Sequence, residues 1–353
     1  GKSLINQVGT KKKFKQLIKK KNYTINLTTD EYINLVNISC GLYSPLSGFC
    51  DYKNYNSIIK KNKINDKVDW TIPILLNYPL NNNFLKNKQF FKLKYNSKIV
   101  GAIEGSSIFK VNKKLFNKKV FGTTSRRHPG VILMEKKKDY FIGGKTYLLN
   151  SALPKSNYFF YPKKLRFILK NKKNSNAAFS TRNICHAGHS FIHKYILKRV
   201  KQLYIVVIQS VNNKYDPKTL FSTYEIIRKQ NKLKEKMKII SIFMPTFFAG
   251  PKEAFLQAVM MQNLGFNNFV VGRDHAGVKG FYGKYESQKI FKKFKDLTIN
   301  IFKTKEPLIC STCSMVGFEN NKFCKCKRSS KFLTIDGKSV KNLLINKNFL
   351  QVK

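Results

Sequence analysis

From Asn176 onward, short continuous apolar runs alternate with longer stretches of helical spacing, and this alternation constrains the fold more than any other feature of the chain. The runs at 177–180 (AAFS), 203–208 (LYIVVI), 239–243 (IISIF) and 269–271 (FVV) read as buried strands. Between them, residues 186–200 place Phe191, Ile192, Tyr195, Ile196 and Val200 on one helical face, residues 217–237 form a long amphipathic stretch, and 252–264 reads as a helix. Strand and helix in strict turn predict a parallel sheet with helices on both faces. Ligands of such sheets bind where strand carboxyl ends meet helix amino ends.

The flanking regions have a different texture. Before Pro154, short alternating segments such as 70–76 (WTIPILL), 91–95 and 98–103 are separated by polar loops at 41–48 (GLYSPLSG) and 122–130 (GTTSRRHPG), which predicts a β-rich domain. From Pro307 the chain is Lys-rich and holds four of its seven Cys. With 353 residues there is material for two or three cores, and the expected division is 1–154, 155–308 and 309–353. No internal repeat is visible.

Two segments at strand ends carry chemistry. The run 177–180 leads into Thr181, Arg182, Asn183, Ile184, Cys185, His186, Ala187, Gly188 and His189. Three residues apart at a helix start, the two His share a face, beside exposed amides and the positive dipole end. That setting favours phosphate, to whose oxygens imidazoles can donate as charge builds up; Gly188 permits close backbone approach. The bland alternative is a pair of solvated capping His. After 269–271 comes Gly272, Arg273, Asp274, His275, Ala276, Gly277, a tight loop in which Arg273 suits a tetrahedral oxyanion and the amides of His275 and Ala276 could complete an anion nest. Its bland alternative is an Arg273–Asp274 salt bridge closing a turn.

Charge has to be weighed against this. Lys plus Arg number 68 against 18 Asp plus Glu, a formal +50, which suggests a polyanion binder. Only 8 of the 68 are Arg, and 35 residues are Asn, the signature of an AT-rich coding bias at neutral surface positions. Dedicated nucleic-acid surfaces lean on Arg for bidentate contacts, so no nucleic-acid partner is expected. Scarcity makes Arg and His informative: Arg126, Arg127, Arg182 and Arg273 lie close in sequence to four of the five His, namely His128, His186, His189 and His275. No apolar stretch reaches the ~20 residues of a membrane span, and the Lys-rich start lacks the apolar core of a signal peptide, which predicts a cytoplasmic protein without a membrane partner. Cys310, Cys313, Cys324 and Cys326 form a C-x2-C and a C-x-C pair ten residues apart; that pattern suits a structural Zn2+ better than disulfides, with reduced metal-free thiols as the alternative.

Taken in order, the motifs resemble the ATP sulfurylase (sulfate adenylyltransferase) family over nearly the whole chain. Residues 41–49 (GLYSPLSGF) are similar to its Ser-Pro-Leu-x-Gly-Phe element, and 120–131 (VFGTTSRRHPGV) to its Phe-Gly-Thr-Thr-x-x-x-His-Pro-Gly-Val loop. Residues 179–189 (FSTRNICHAGH) resemble Gln-Thr-Arg-Asn-x-x-His-x-x-His, and 249–254 (AGPKEA) with 272–277 (GRDHAG) resemble the remaining pair. Departures are Ser180 for Gln, Ala187 and Ser190 for Arg and Glu, Phe247 and Phe248 for an Arg-aromatic or Arg-Met pair, Lys252 for Arg and Gln257 for His.

The resemblance implies an α/β fold: a PUA-like N-terminal domain, a Rossmann-like nucleotidyltransferase domain with a parallel sheet, and a small C-terminal domain. It implies the reversible reaction of ATP with sulfate to give adenylyl sulfate and pyrophosphate, with Mg2+ arriving on the nucleotide. Arg182, with Arg273 or the Ala276 amide, is then expected at sulfate, where Ser180 makes a shortened contact. Thr181 and Asn183 are expected at the nucleotide phosphates, and His186 and His189 at departing pyrophosphate. Gly272, Asp274 and His275 should border adenosine, and Val316 should touch adenine. Zinc in some members makes Cys310, Cys313, Cys324 and Cys326 the implied ligands. A homodimer is implied, because the kinase-like domain that supports hexamers in fungal members has no counterpart before Lys353. The competing readings are a different His-x-Gly-His adenylyltransferase and a basic RNA-binding protein.

Overall fold

The computed structural model describes residues 3–12, 14, 23–79, 89–155, 158–170, 175–211, 215–278, 280–319, 323–326 and 331–335. The parallel sheet has the strand order Met237–Phe243, Gln202–Gln209, Asn176–Thr181, Asn268–Val271, Asn300–Lys303, every neighbouring pair parallel. Chain direction across the sheet therefore reverses between Asn176–Thr181 and Asn268–Val271. In an open α/β sheet that reversal opens a crevice at the strand carboxyl ends. Both Arg-containing motifs leave the sheet at that point.

Helices cover both faces because their apolar stripes match the sheet's. Ala187–Leu197 and Pro217–Gln230 bury Ile192, Ile196, Leu220 and Tyr224 against Ile205, Val207 and Ile239 on one side. Helix Pro251–Leu264 is buried nearly all round and fills the other side, between the sheet and the N-terminal region. The amphipathic stretch expected over 217–237 ends as a helix at Gln230: Asn231 caps it, Lys232 turns with a φ of 52°, and the next strand starts at Met237.

The N-terminal region is built on a seven-stranded sheet whose long antiparallel core is Phe90–Tyr95, Lys98–Lys110 and Tyr140–Leu149. Helices Thr29–Ser39, Tyr52–Lys61, Lys113–Phe121 and Pro129–Glu135 accompany it, capped by Thr28, Asp51, Asn112 and His128. Residues 70–76 are not one strand. Only Leu76 pairs, because Pro73 lacks a backbone donor; Trp70 N and Cys50 N instead bond the Asn62 and Ile74 carbonyls.

The motif loops of this region brace the parallel sheet. Asn263 Nδ2, on helix Pro251–Leu264, donates to the carbonyls of Leu42 (3.0 Å) and Ser44 (2.8 Å) within the 41–48 loop. Buried His128 accepts from Gly130 N through Nδ1, and its Nε2 lies 3.4 Å from the Tyr282 hydroxyl, which is also 3.1 Å from the Phe248 carbonyl. One apolar core runs from Leu42, Tyr43 and Trp70 into Phe255, Val259 and Met260, so the two regions share their interior.

A third, antiparallel sheet orders Val316–Phe318, Pro307–Cys310 and Phe332–Thr334. Phe318 seats it edge-on against Phe191 (4.9 Å) and Tyr195 (4.8 Å) of helix Ala187–Leu197. Among the described residues no helix is long and apolar enough to cross a membrane.

Candidate active site

The strand Asn176–Thr181 is buried along its length and delivers the 180–183 motif to the crevice. Thr181 Oγ1 accepts from Asn183 N (3.1 Å) and from the Tyr224 hydroxyl (3.0 Å), which folds the turn back on itself. Arg182 is thereby directed toward helix Pro251–Leu264. Its guanidinium pairs with Glu253 Oε1 at 2.9 Å; the Glu253 side chain is 1% exposed and that of Arg182 22%. The Arg182 Nε is buried without a hydrogen-bond partner among the described residues. An unsatisfied buried donor in an otherwise bonded group marks a place where an anion gains more than it would in water.

Gln257, one turn beyond Glu253, joins the motifs. Its Oε1 accepts from Ser180 Oγ at 2.8 Å and lies 2.8 Å from His275 Nε2, while its Nε2 is 3.5 Å from Glu253 Oε1. A connected chain therefore runs Arg182, Glu253, Gln257, His275, with Ser180 as a branch. The Arg273–Asp274 salt bridge, the bland alternative for the 272–277 loop, is absent among the described residues: Arg273 reaches Glu306 at 3.1 Å. Glu306 also holds Lys284 (2.8 Å), which reaches Glu319 at 2.6 Å. Asp274 turns back over Gly277, where a Cβ would lie 1.8 Å from its Oδ1; burial pushes its carboxyl up. Ala276 has a φ of 56°, a left-handed backbone value that turns the loop sharply. Gly272 has no side chain within 4 Å except Thr304 Oγ1 at 4.0 Å from a hypothetical Cβ.

His186 caps helix Ala187–Leu197 and stacks on His189, ring centroids 3.8 Å apart at 22°. His189 Nδ1 is 3.2 Å from the Ile184 carbonyl, which can only accept, so the neutral ring carries its proton on Nδ1. Burial, then His186 and His193, hold its pKa well below the usual imidazole value. His275 is likewise pushed down to about 4 by burial and by Arg182. Both rings are neutral in the free enzyme at pH 7. His189 can therefore donate Nε2–H to a phosphate only after taking up a proton, which an arriving polyanion favours.

The structure thus brings together Ser180, Thr181, Arg182, Asn183 and His275, sets His186 and His189 as a stacked pair, and places Gly272, Arg273, Asp274 and Ala276 in the adjacent loop. Val316 lies on the small sheet, outside the hydrogen-bonded chain. Sequence reading gave no role to Glu253, Glu306, Tyr224 or His193. A signal existed for the first two: with 18 acidic residues against 68 basic ones, a buried carboxylate is as informative here as an Arg. Nor had it foreseen carboxylates beside the motif arginines, since Glu306 arrives from a distant segment.

The four sulfurs of Cys310, Cys313, Cys324 and Cys326 lie within 4.8 Å of one another. Tetrahedral Zn2+ with Zn–S bonds of 2.3 Å needs sulfurs about 3.8 Å apart, so the donor set fits. The Cys313 and Thr312 amides pull the Cys310 thiol down to about 6, while the neighbouring thiols push Cys326 up to about 12, so one sulfur of the group is set apart as the readiest thiolate.

Comparison with known proteins agrees with this geometry. A family model described as ATP-sulfurylase matches residues 156–350, more than half the chain, and a PUA-like domain model matches residues 1–151. The chain belongs to the ATP-sulfurylase family. Among relatives called sulfate adenylyltransferase, that of Staphylothermus marinus is 30% identical over 331 residues, covering 92% of this chain and 86% of its own. That of Carboxydothermus hydrogenoformans is 29% identical over 354 residues, covering 98% and 92%. A solved structure titled hexameric APS kinase from Thiobacillus denitrificans superposes with a TM-score of 0.70 at 15% identity, a likeness of fold alone. It covers 97% of this chain, which spans only 62% of that one's length. The fold expectation, a PUA-like domain followed by an α/β catalytic domain with a parallel sheet, is met by both the topology and the matches.

Proposed function

We propose that the protein is a sulfate adenylyltransferase, joining ATP and sulfate to form adenylyl sulfate and pyrophosphate, reversibly. The observation that carries this reading is the chain Arg182–Glu253–Gln257–His275, which draws the 180–183 motif, helix Pro251–Leu264 and the 272–277 loop to the sheet's reversal point. Two anions must meet there, so positioning and charge neutralisation supply most of the acceleration.

Arg182, with Arg273 or the Ala276 amide, holds sulfate, and one sulfate oxygen attacks the α-phosphorus in line. Pyrophosphate leaves toward the helix amino end at His186 and His189. Thr181 has its hydroxyl engaged by Tyr224 and Asn183, so it shapes the turn whose amides face the phosphates. Gly272, Asp274 and His275 border the adenosine, and Val316 approaches it from the small sheet. Mg2+ arrives with ATP or pyrophosphate and neutralises their oxygens; Glu253 and Glu306 are committed to Arg182 and Arg273. We further propose that Cys310, Cys313, Cys324 and Cys326 hold a structural Zn2+ in the small domain after residue 308, that domains divide at 154 and 308, and that the enzyme is a cytoplasmic homodimer. The alternative of an RNA-binding protein is disfavoured by how few of its 68 basic residues are Arg. Purified protein given adenylyl sulfate, pyrophosphate and Mg2+ should generate ATP, read by luminescence; no ATP above a protein-free control refutes the proposal.

A further inference from the structure

We infer that Gln257 is a positioning residue that locks His275 in the Nε2–H tautomer, so that His275 meets the nucleotide through an accepting Nδ1. The inference rests on the proposed reaction only for the identity of the nucleotide. Its basis is the orientation of a buried amide. Gln257 is 2% exposed and touches three polar groups: Ser180 Oγ, His275 Nε2 and Glu253 Oε1. Ser180 tolerates either face of an amide, because a hydroxyl donates or accepts. Glu253 does not. Its carboxylate, paired with Arg182, would repel the Gln257 carbonyl oxygen, so the amide NH2 turns to Glu253 and the oxygen turns to Ser180 and His275.

An amide oxygen has only lone pairs to offer, so at 2.8 Å the His275 Nε2 must carry the proton. In the neutral ring Nδ1 then keeps its lone pair, and a ring of that kind recognises a hydroxyl or amino group, not a phosphate oxygen. Protonation of Nδ1 is opposed by burial of the ring and by the Arg182 charge beside it. The Gln257 amide thus carries an instruction from the Arg182 ion pair to the adenosine side of the site. Ribose hydroxyls and the adenine amine are the donors ATP offers there. Ser287 Oγ fixes the same residue from behind by donating to the His275 carbonyl at 2.6 Å.

The test uses the full-length, ligand-free enzyme with 15N-labelled histidine at neutral pH, in a two-bond 1H–15N correlation assigned by loss of the His275 signal in His275→Gln. A protonated Nε2 and a bare Nδ1 are expected; the opposite pattern overturns the inference. Gln257→Leu, which keeps the volume and deletes the acceptor, should mix the tautomers and raise the ATP KM roughly tenfold with kcat changed less than about threefold. Gln257→Glu keeps an acceptor oxygen beside His275 but sets a second carboxylate against Glu253, so Nε2 should stay protonated while the ATP KM rises; a bare Nε2 in that variant overturns the inference. An unchanged tautomer and KM in Gln257→Leu overturn the inference, and if that variant does not fold, the wild-type spectrum and Gln257→Glu decide it. Because the spectrum is taken without substrate, a failure of the tautomer assignment and a failure to make ATP are separate results.

Discussion

The two motif arginines are held by carboxylates of different character. Arg182 pairs with Glu253 from the first turn of a buried helix, and that carboxylate's other contacts are the Ala249 amide and Gln257. Arg273 pairs with Glu306, which it shares with Lys284, and Lys284 is in turn 44% exposed and divided between Glu306 and Glu319. One pair is a single bond in a dry place. The other is a link in a chain of charges that reaches water and joins the 272–277 loop to the small sheet. Coulomb interactions strengthen and desolvation costs rise with burial, so the first pair fixes geometry rigidly and the second leaves its arginine adjustable. In the proposed reaction, Arg182 is the fixed point against which sulfate is aligned, and Arg273 follows the ligand.

That contrast can be broken by graded substitutions. Arg182→Ala should lower the rate about a hundredfold, the loss of a charge-assisted contact in a preorganised site worth roughly 3 kcal/mol. Equal turnover in steady-state assays would remove Arg182 from the chemistry. Glu253→Gln keeps the shape but removes the charge that orients Arg182, and about a tenfold rise in the sulfate KM is expected. Glu306→Gln should raise the same constant only about threefold, because Lys284 and solvent compensate. If Glu306→Gln proves the more damaging of the two, the assignment of fixed and adjustable partners is reversed. Raising the salt concentration should widen the gap between these variants, since the exposed chain is screened and the buried pair is not.

The smallest effect at neutral pH concerns His193, whose two ring nitrogens are buried without hydrogen-bond partners among the described residues. Burial, then His186, pushes it down to about 3. Its proton is therefore bound by the unfolded chain and not by the native one between about pH 6.5 and 3, so stability rises with pH through that window and is lost as pH falls. Above pH 6.5 both states leave the ring neutral, and it contributes no slope. His193→Leu should leave stability at pH 7.5 nearly unchanged and flatten the decline of melting temperature from pH 6.5 to 4.5. The same acid slope in the variant would assign the acid sensitivity to other groups.

Where residues act through their neighbours in sequence, the reading from the chain alone was sufficient. The apolar runs 177–180 and 203–208 are strands because their continuous hydrophobicity suits burial on both faces, and His186 and His189 stack because three residues return a helix to the same face. Where residues act across space, the chain was opaque. Glu253 lies inside the 249–254 element and Gln257 stands where the family usually has His, but neither position names its partner; only the packing of helix Pro251–Leu264 against the strand end makes them partners of Arg182 and His275. The strand expected at 70–76 failed because Pro73 removes a donor inside an otherwise apolar run. The fifth histidine, His193, has no Arg beside it in sequence, yet it lies four residues beyond His189 on the same helix, its ring 6.3 Å away.

The central claim, that one site holds sulfate and the nucleotide at once and joins them in a single displacement, is tested most directly by exchange of labelled pyrophosphate into ATP. With Mg2+, ATP and labelled pyrophosphate, label should enter ATP only when sulfate or adenylyl sulfate is present, because the adenylyl group has no other acceptor. Exchange without either compound would mean that the enzyme itself carries the adenylyl group, and no exchange with them would mean that this site does not perform the reaction.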